Sequence, residues 1–178
     1  TIGLAVPELR LDYFAELADE VITAAEARGL GVIIGQLGGD REREIAVVAG
    51  GLRHTDGLLF SPERLGMPDR AFLDAVDYPF VLLGERIFGA PVDHVAIHNS
   101  TAARAAVEHL IAGGCRRVAV VGAHPDGQEG QARPSDLRIE GYRQALAGAG
   151  LPHDRRLERP AAPWHPRQGA EATRALLS

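Results

Sequence analysis

Short apolar runs alternate with helical patterns along this chain, and that alternation constrains the fold more than any other feature. Residues 2–6 and 118–121 are continuously apolar, which is typical of strands buried on both faces of a sheet. Between such runs, apolar side chains recur at helical spacing, for example from Phe14 to Ala25. Strands that alternate with helices form parallel sheets with right-handed crossovers. The sequence therefore predicts an α/β fold.

The alternation occurs twice, with a break after Pro91. The first part predicts strands at residues 2–6, 32–37, 58–60 and 80–83, and the second predicts strands at 94–97, 118–121 and 157–159. In the second part a helix begins at Asn99 or Ser100, either of which can serve as its N-cap. We predict two doubly wound parallel-sheet lobes, residues 1–93 and 94–178, joined near residues 85–98, with the second lobe truncated at its C-terminus.

Charge and composition narrow the possible partners. A net charge of −5 and an isoelectric point near 5.8 argue against this segment binding nucleic acid or an anionic membrane by itself. A single cysteine, Cys115, permits no internal disulfide, which fits a reducing compartment. The sequence contains no apolar run of about 18 residues and no secretion signal. We expect a cytoplasmic protein that does not contact a membrane.

The residues offer no recognisable catalytic or metal-binding machinery. The glycines of segment 122–130 lack the Gly-x-Gly-x-x-Gly spacing, and a chain whose 19 basic residues are all arginine cannot supply a Walker-type lysine. Ser61 and Ser135 have no histidine in a nucleophile context. Neither His124, with Asp126 and Glu129, nor His153, with Asp154, has a further ligand at a metal-site spacing. We expect a non-enzymatic protein without metal or cofactor.

Aromatic and cationic side chains occur where predicted strands give way to helices, which is where open α/β sheets bind ligands. Tyr13 and Phe14 follow the first strand, and their ring faces can cover apolar C–H patches of a ligand. Phe14 can equally be the first core residue of its helix. Arg138 lies near a helix start, where a cation is electrostatically unfavourable unless another group holds it. Its planar guanidinium can bind two hydroxyls or a carboxylate.

Six segments, in order and at matching spacing, resemble the effector-binding core of the lactose/galactose-repressor (LacI/GalR) family of bacterial transcription regulators. They are Ile-Gly-Leu-x-Val-Pro at 2–7, Tyr-Phe-Ala-Glu-Leu at 13–17, Thr-Asp-Gly-Leu-Leu at 55–59, His98-Asn99, residues 109–119 and Arg-Ile-Glu-Gly-Tyr-Arg-Gln-Ala-Leu at 138–146. The resemblance covers essentially all 178 residues. It implies a fold like that of type I periplasmic binding proteins, with two lobes that close on a small-molecule effector, which we expect to be a carbohydrate. It also implies a homodimer that contacts operator DNA only through an N-terminal helix-turn-helix, which this chain lacks.

The resemblance also implies roles for single residues. Arg138 matches the effector-binding arginine of the family, and Tyr13 and Phe14 match aromatics that lie over the ligand. Trp164, the single tryptophan, stands in a proline-rich loop where family members carry an aromatic that stacks on the effector. A cover over the sheet edge is the alternative for Trp164. The further candidate ligand residues are Leu11, Ser61, Glu63 and Glu85.

Two departures from the family pattern leave the effector open. Gly84 stands where many members have an aspartate, and Glu85 follows it at a position that strand alternation points to the opposite face. The common Asp-Asn pair is His98-Asn99, in which the histidine replaces an acceptor with a titratable ring. A solute-binding protein of a sugar transporter is the alternative function. Segments 109–119 and 138–146 resemble regulators more closely, which favours a transcriptional regulator.

Overall fold

The structure is a computed structural model that describes residues 1–87, 89, 91–123, 133–162 and 165–177. The chain divides into two compact units, Thr1–Ile97 and His98–Ser178. The described residues form seven strands and six α-helices. Each unit has its own buried apolar clusters.

A parallel sheet organises the first unit. Its described strands are β1 (Ile2–Val6), β2 (Val32–Gln36), β3 (Leu58–Phe60), β4 (Phe80–Leu83) and β5 (Asp93–Val95), in the spatial order β2-β1-β3-β4-β5. Its helices are α1 (Asp12–Glu26), α2 (Arg41–Gly50) and α3 (Arg70–Asp74), the last preceded by a 3₁₀ helix at Met67–Asp69. Every strand pair in this sheet is parallel, which confirms the predicted sheet type.

Helices cover both faces of this sheet. Leu4 packs with Ala18 of α1 on one face, whereas Ala5 packs with Val48 of α2 and Leu73 of α3 on the other. Successive residues of a strand point to opposite faces, so a continuously apolar strand requires two covering layers. The sheet is therefore doubly wound, as the apolar run at residues 2–6 predicts.

The strand order creates a switch point between β1 and β3. The chain leaves β1 toward β2 on one side and returns to β3 on the other side of β1. In open α/β sheets, ligands bind outside the carboxyl ends of the strands at such a reversal. The loops that follow Val6 and Phe60 flank this position.

The turn into α2 is encoded locally. Gly38 and Gly39 adopt φ values of 69° and 67°, in the left-handed region that glycine enters without steric cost. Asp40 is the N-cap, and its Oδ1 accepts hydrogen bonds from the backbone nitrogens of Glu42 (2.9 Å) and Arg43 (3.3 Å). These contacts satisfy amides that the helix leaves unpaired.

The second unit packs helices against a parallel strand pair. Its described elements are α4 (Asn99–Ala112), β6 (Val120–Ala123), α5 (Pro134–Gly148), a 3₁₀ helix at Arg155–Leu157, β7 (Glu158–Pro160) and α6 (Pro166–Leu177). Val107, Val118, Tyr142, Ala145 and Leu146 form its core cluster. A Cβ on Gly141 would lie 2.0 Å from the carbonyl oxygen of Ser100. The backbones of α4 and α5 therefore meet at a position that only glycine fits.

Two strands differ from those that the sequence predicts. The strand predicted at 94–97 was assigned to the second lobe, but β5 pairs with β4 through Val81 with Asp93 and Leu83 with Val95. That strand therefore belongs to the first unit. The prediction was wrong because a strand's own residues do not reveal which neighbour it pairs with. The strand predicted at 118–121 is β6 and begins at Val120.

The predicted cap of α4 is also wrong. His98 is the N-cap, and Asn99 is the first residue of the helix. The Oδ1 of Asn99 accepts a hydrogen bond from Arg138. The amide side chain thus serves a contact between two helices, which local sequence does not reveal.

Candidate functional site

The candidate residues of the first unit follow the carboxyl ends of three parallel strands. Because parallel strands end at one edge of a sheet, the loops after β1, β3 and β4 share that edge. The candidates on these loops and on the start of α1 are Leu11, Tyr13, Phe14, Ser61, Glu63 and Glu85. The fold therefore brings together, at one edge of the sheet, candidate residues as distant in the chain as Leu11 and Glu85.

The two aromatic residues differ in their surroundings. Tyr13 is 56% exposed, whereas Phe14 is partly buried against the cluster that contains Leu4 and Val6. Their rings meet edge to face, with centroids 5.0 Å apart and planes at 73°. Phe14 therefore packs as a core residue of its helix and supports the ring of Tyr13. Tyr13 is the more exposed of the two and therefore the more accessible to a ligand. Leu11, the N-cap residue of α1, is half-buried.

The loop after β3 is held at several points. The backbone nitrogen of Ser61 donates to the carbonyl oxygen of Ala5 at 2.9 Å, which extends the contact between β3 and β1. The Nε of Arg64 donates to the carbonyl oxygen of Gly39 at 2.8 Å, on the loop after β2. The Ser61 side chain is buried, whereas that of Glu63 is exposed. This loop thus presents an exposed carboxylate on a backbone that its neighbours fix.

Sequence reasoning missed a buried carboxylate beneath this loop. Glu44 lies in the first turn of α2 among charged residues, yet its exposed fraction is 0%. Its two carboxylate oxygens accept hydrogen bonds from the backbone nitrogens of Glu63, Arg64 and Leu65 at 2.7–3.0 Å. Glu44 precedes the buried Val48 by four residues, so both lie on one helix face. That spacing was the available signal.

Glu85 is also buried, with 5% of its surface exposed. Its Oε1 accepts a hydrogen bond from the backbone nitrogen of Ile97 at 3.0 Å. Gly84, which stands at the position of the family's aspartate, has a φ of 97°, and its carbonyl oxygen contacts Nε2 of His94. Glu85 thus supports the last residues of the first unit. Its role in ligand binding stays a prediction.

Arg138 lies in the second turn of α5, with its side chain exposed. Its Nη1 donates to Oδ1 of Asn99 at 2.8 Å, and Asn99 is 4% exposed. A cation near a helix start needs such a partner. Because a guanidinium carries five N–H donors in one plane, this bond orients the plane of the group. Asn99 is a second residue that sequence reasoning did not assign to the site.

Several sequence predictions concern positions outside the described residues. These are Trp164, His124, Asp126 and Glu129. Within the described ranges, no three His, Cys, Asp or Glu side chains are grouped so that they could hold a metal ion. His153 is instead hydrogen-bonded through Nε2 to Glu158 at 2.7 Å.

A shallow apolar hollow lies at the opposite edge of the first sheet. Its volume is about 240 Å³, and it is lined by Ile2, Gly57, Leu58, Leu59, Pro79, Phe80, Val81 and Asp93. These residues lie at or near the amino ends of their strands. The lining is mostly apolar, whereas a site for a polar metabolite needs several placed polar groups. We therefore assign the candidate site to the carboxyl edge. No helix in the described part of the chain has the length and apolar character needed to cross a membrane.

Comparison with known proteins identifies the family. The whole chain, residues 1–178, matches the family described as "Periplasmic binding proteins and sugar binding domain of LacI family". The HTH-type transcriptional regulator CelR of Thermobifida fusca is 32% identical over 167 residues, which are 88% of this chain and 47% of CelR. The chain thus spans about half the length of this relative.

Solved structures agree with this family. A LacI-family transcriptional regulator from Sanguibacter keddieii is 45% identical, with a TM-score of 0.80 over 98% of this chain and 61% of that one. A complex of the transcriptional regulator CelR with cellobiose is 28% identical, with a TM-score of 0.73 over 99% of this chain and 54% of that one. These findings confirm the resemblance stated from the sequence. The doubly wound parallel sheet and the match over all 178 residues show that the chain belongs to the LacI family of transcriptional regulators, in the part that matches periplasmic binding proteins.

Proposed function

We propose that this chain is the effector-binding core of a transcriptional regulator and that its effector is a small carbohydrate. The observation that carries the proposal is the family match over residues 1–178. It is supported by the candidate side chains at the carboxyl edge of the first sheet, beside the β1/β3 switch point. The cellobiose in the related CelR complex is consistent with a saccharide.

The candidate side chains suit a sugar. A pyranose ring has apolar C–H faces, which an exposed ring such as that of Tyr13 can cover, and hydroxyl edges that need hydrogen-bond partners. The Glu63 carboxylate accepts hydrogen bonds from hydroxyl groups, and the Arg138 guanidinium donates to them. Trp164 supplies a second stacking surface in this proposal. Ser61 and Glu85 lie on the loops that carry these contacts, and their own contact with the ligand stays a prediction.

Regulation follows from ligand-driven closure of the two lobes. The effector binds the closed arrangement more tightly than the open one, since a ligand with equal affinity for both would shift nothing. Closure then changes how a homodimer presents its helix-turn-helix segments to operator DNA in the cytoplasm. The relatives described above are named as transcriptional regulators, which supports this function over a transporter's solute-binding protein.

A thermal-shift screen of the full-length protein tests the proposal. The compounds are mono- and disaccharides including cellobiose, purines and sugar phosphates. A ligand at 100 times its dissociation constant stabilises the folded state by about 2.7 kcal/mol, which gives a clear rise in melting temperature. A rise with a saccharide supports the proposal, and a rise only with a non-carbohydrate contradicts the proposed effector class.

Arg138→Ala then tests the site by calorimetry. Binding of the saccharide should be lost while the circular dichroism spectrum is retained. Arg104→Ala is the matched control, because Arg104 is an exposed arginine paired with Glu108 on α4 and its removal should leave affinity unchanged. Equal affinity in the Arg138→Ala protein and the wild type would refute the role of Arg138.

The single tryptophan gives an independent readout. Since Trp164 is the only tryptophan in the sequence, its fluorescence should change on titration with a saccharide that calorimetry shows to bind. A constant emission spectrum through saturation would remove Trp164 from the site.

A further inference from the structure

We propose that Glu44 is a positioning residue that fixes the loop after β3 for effector binding. This inference rests on the proposed function, because the loop carries Ser61 and Glu63 at the candidate site. It concerns a residue on α2 that does not itself belong to the ligand-contacting set. The observation behind it is the fully buried carboxylate under three consecutive backbone amides.

The hydrogen bonds divide between the two carboxylate oxygens. Oε1 accepts from the backbone nitrogens of Glu63 (2.7 Å) and Arg64 (3.0 Å). Oε2 accepts from the nitrogens of Arg64 (3.0 Å) and Leu65 (2.8 Å). Successive backbone N–H groups that converge in this way form a concave anion site. Here the chain's own carboxylate occupies that site, so the conformation of residues 63–65 depends on a negatively charged acceptor.

Because the Glu44 carboxylate is fully buried, it needs the hydrogen bonds that the loop donates. A carboxylate is costly to bury unless several donors surround it, and hydrogen bonds to a charged group are stronger than those between neutral groups. The contact joins α2 to the loop, while Ser61 joins the start of the same loop to β1 through Ala5. Both ends of the loop are therefore fixed from different elements. The exposed side chain of Glu63 then projects from a backbone that cannot shift freely.

Glu44→Gln is the informative substitution. It keeps the shape of the side chain but replaces one acceptor oxygen with an NH₂ group, which would face an amide donor with another donor. Glu44→Asp keeps the charge and both oxygens but is one methylene shorter, so it restores the contact in part. Glu42→Gln is the matched control, because Glu42 lies on the same helix with an exposed side chain.

Two measurements on the full-length protein test the proposal. In hydrogen–deuterium exchange, Glu44→Gln should speed exchange at the amides of residues 63–65 by about tenfold or more, while amides of β1 and β4 keep wild-type rates. In calorimetry with cellobiose, Glu44→Gln should weaken binding by about tenfold. Glu44→Asp should fall between this variant and the wild type, and Glu42→Gln should match the wild type.

The outcomes separate positioning from simple structural support. A residue with only a structural role would lower the melting temperature and speed exchange but leave the cellobiose dissociation constant unchanged, and that result would overturn the proposal. Unchanged exchange at residues 63–65 in Glu44→Gln would also overturn it. If the wild-type protein does not bind cellobiose, the calorimetry uses the saccharide that gives the largest thermal shift. A protein that binds no saccharide contradicts the proposed effector class, whereas unchanged exchange at residues 63–65 in Glu44→Gln contradicts the role of Glu44 alone.

Discussion

Replacing Gly141 by alanine tests how closely α4 and α5 approach each other. The new Cβ would lie 2.0 Å from the carbonyl oxygen of Ser100, 2.9 Å from its carbonyl carbon and 3.0 Å from the backbone nitrogen of Arg104. A Cβ essentially never comes within 3.0 Å of a heavy atom from a non-neighbouring residue. The opposing atoms belong to a helix backbone, which cannot rotate away as a side chain does. The two helices must therefore separate by about 1 Å.

Two effects of opposite sign set the magnitude. Alanine is favoured over glycine inside a helix by up to about 1 kcal/mol, whereas forcing an extra carbon into a close-packed contact costs about 1–3 kcal/mol, and occasionally more. Because the contact is with rigid backbone, we expect the upper end of that cost and a net loss of about 2 kcal/mol. For the second unit, His98–Ser178, unfolding as one cooperative unit, the melting temperature should fall by about 10 °C.

Thermal and urea unfolding, followed by circular dichroism, measure this loss. Gly148→Ala is the matched control on the same helix, since a Cβ there would have no described atom within 4 Å. That variant should be as stable as the wild type or slightly more stable. A Gly141→Ala protein that is at least as stable as the wild type would refute the close approach of the two helices.

Three further substitutions test other contacts. Tyr142→Phe leaves the buried carbonyl oxygen of Val118 without its 2.9 Å donor, so urea unfolding should show a loss of about 1–2 kcal/mol; no loss would contradict the buried hydrogen bond. The Arg143 guanidinium lowers the pKa of the Glu158 carboxyl although burial opposes this. The stabilisation that this pair contributes is therefore fully present above the ordinary pKa of 4.5 and is lost as pH falls through the lowered pKa of Glu158. Glu158→Gln should therefore flatten the acid decline of stability in urea melts between pH 7 and pH 3, and an unaltered decline would refute this. Asp40→Ala removes the cap of α2 and should cost about 1 kcal/mol in the same assay, whereas a neutral result would contradict the capping role.

The elements with the strongest sequence patterns were predictable. The continuous apolar run of β1 and the helical stripe from Phe14 to Ala25 are local signals, and the structure has β1 and α1 there. The strand assignment failed at β5, whose three residues Asp93–Val95 carry little pattern and whose partner is a non-local property. Pairing between distant strands cannot be read from either strand alone.

The candidate site was predictable as a set of loops but not as a set of contacts. The resemblance pointed to Arg138, yet nothing local indicates that Asn99 holds it across two helices. Glu44 stands among charged neighbours, and a charged run is usually solvated. Its burial depends on three amides of a loop about 20 positions later in the chain. Such contacts arise from tertiary packing, which the helical spacing of Glu44 and Val48 only suggests.

A crystal structure of the full-length protein with the saccharide that gives the largest thermal shift tests the central claim most directly. We predict that the sugar contacts Tyr13 and the loop that carries Glu63, and that the Arg138 guanidinium donates to its hydroxyl groups. A saccharide bound elsewhere, with Arg138 and the loops after β1 and β3 away from it, would contradict the account.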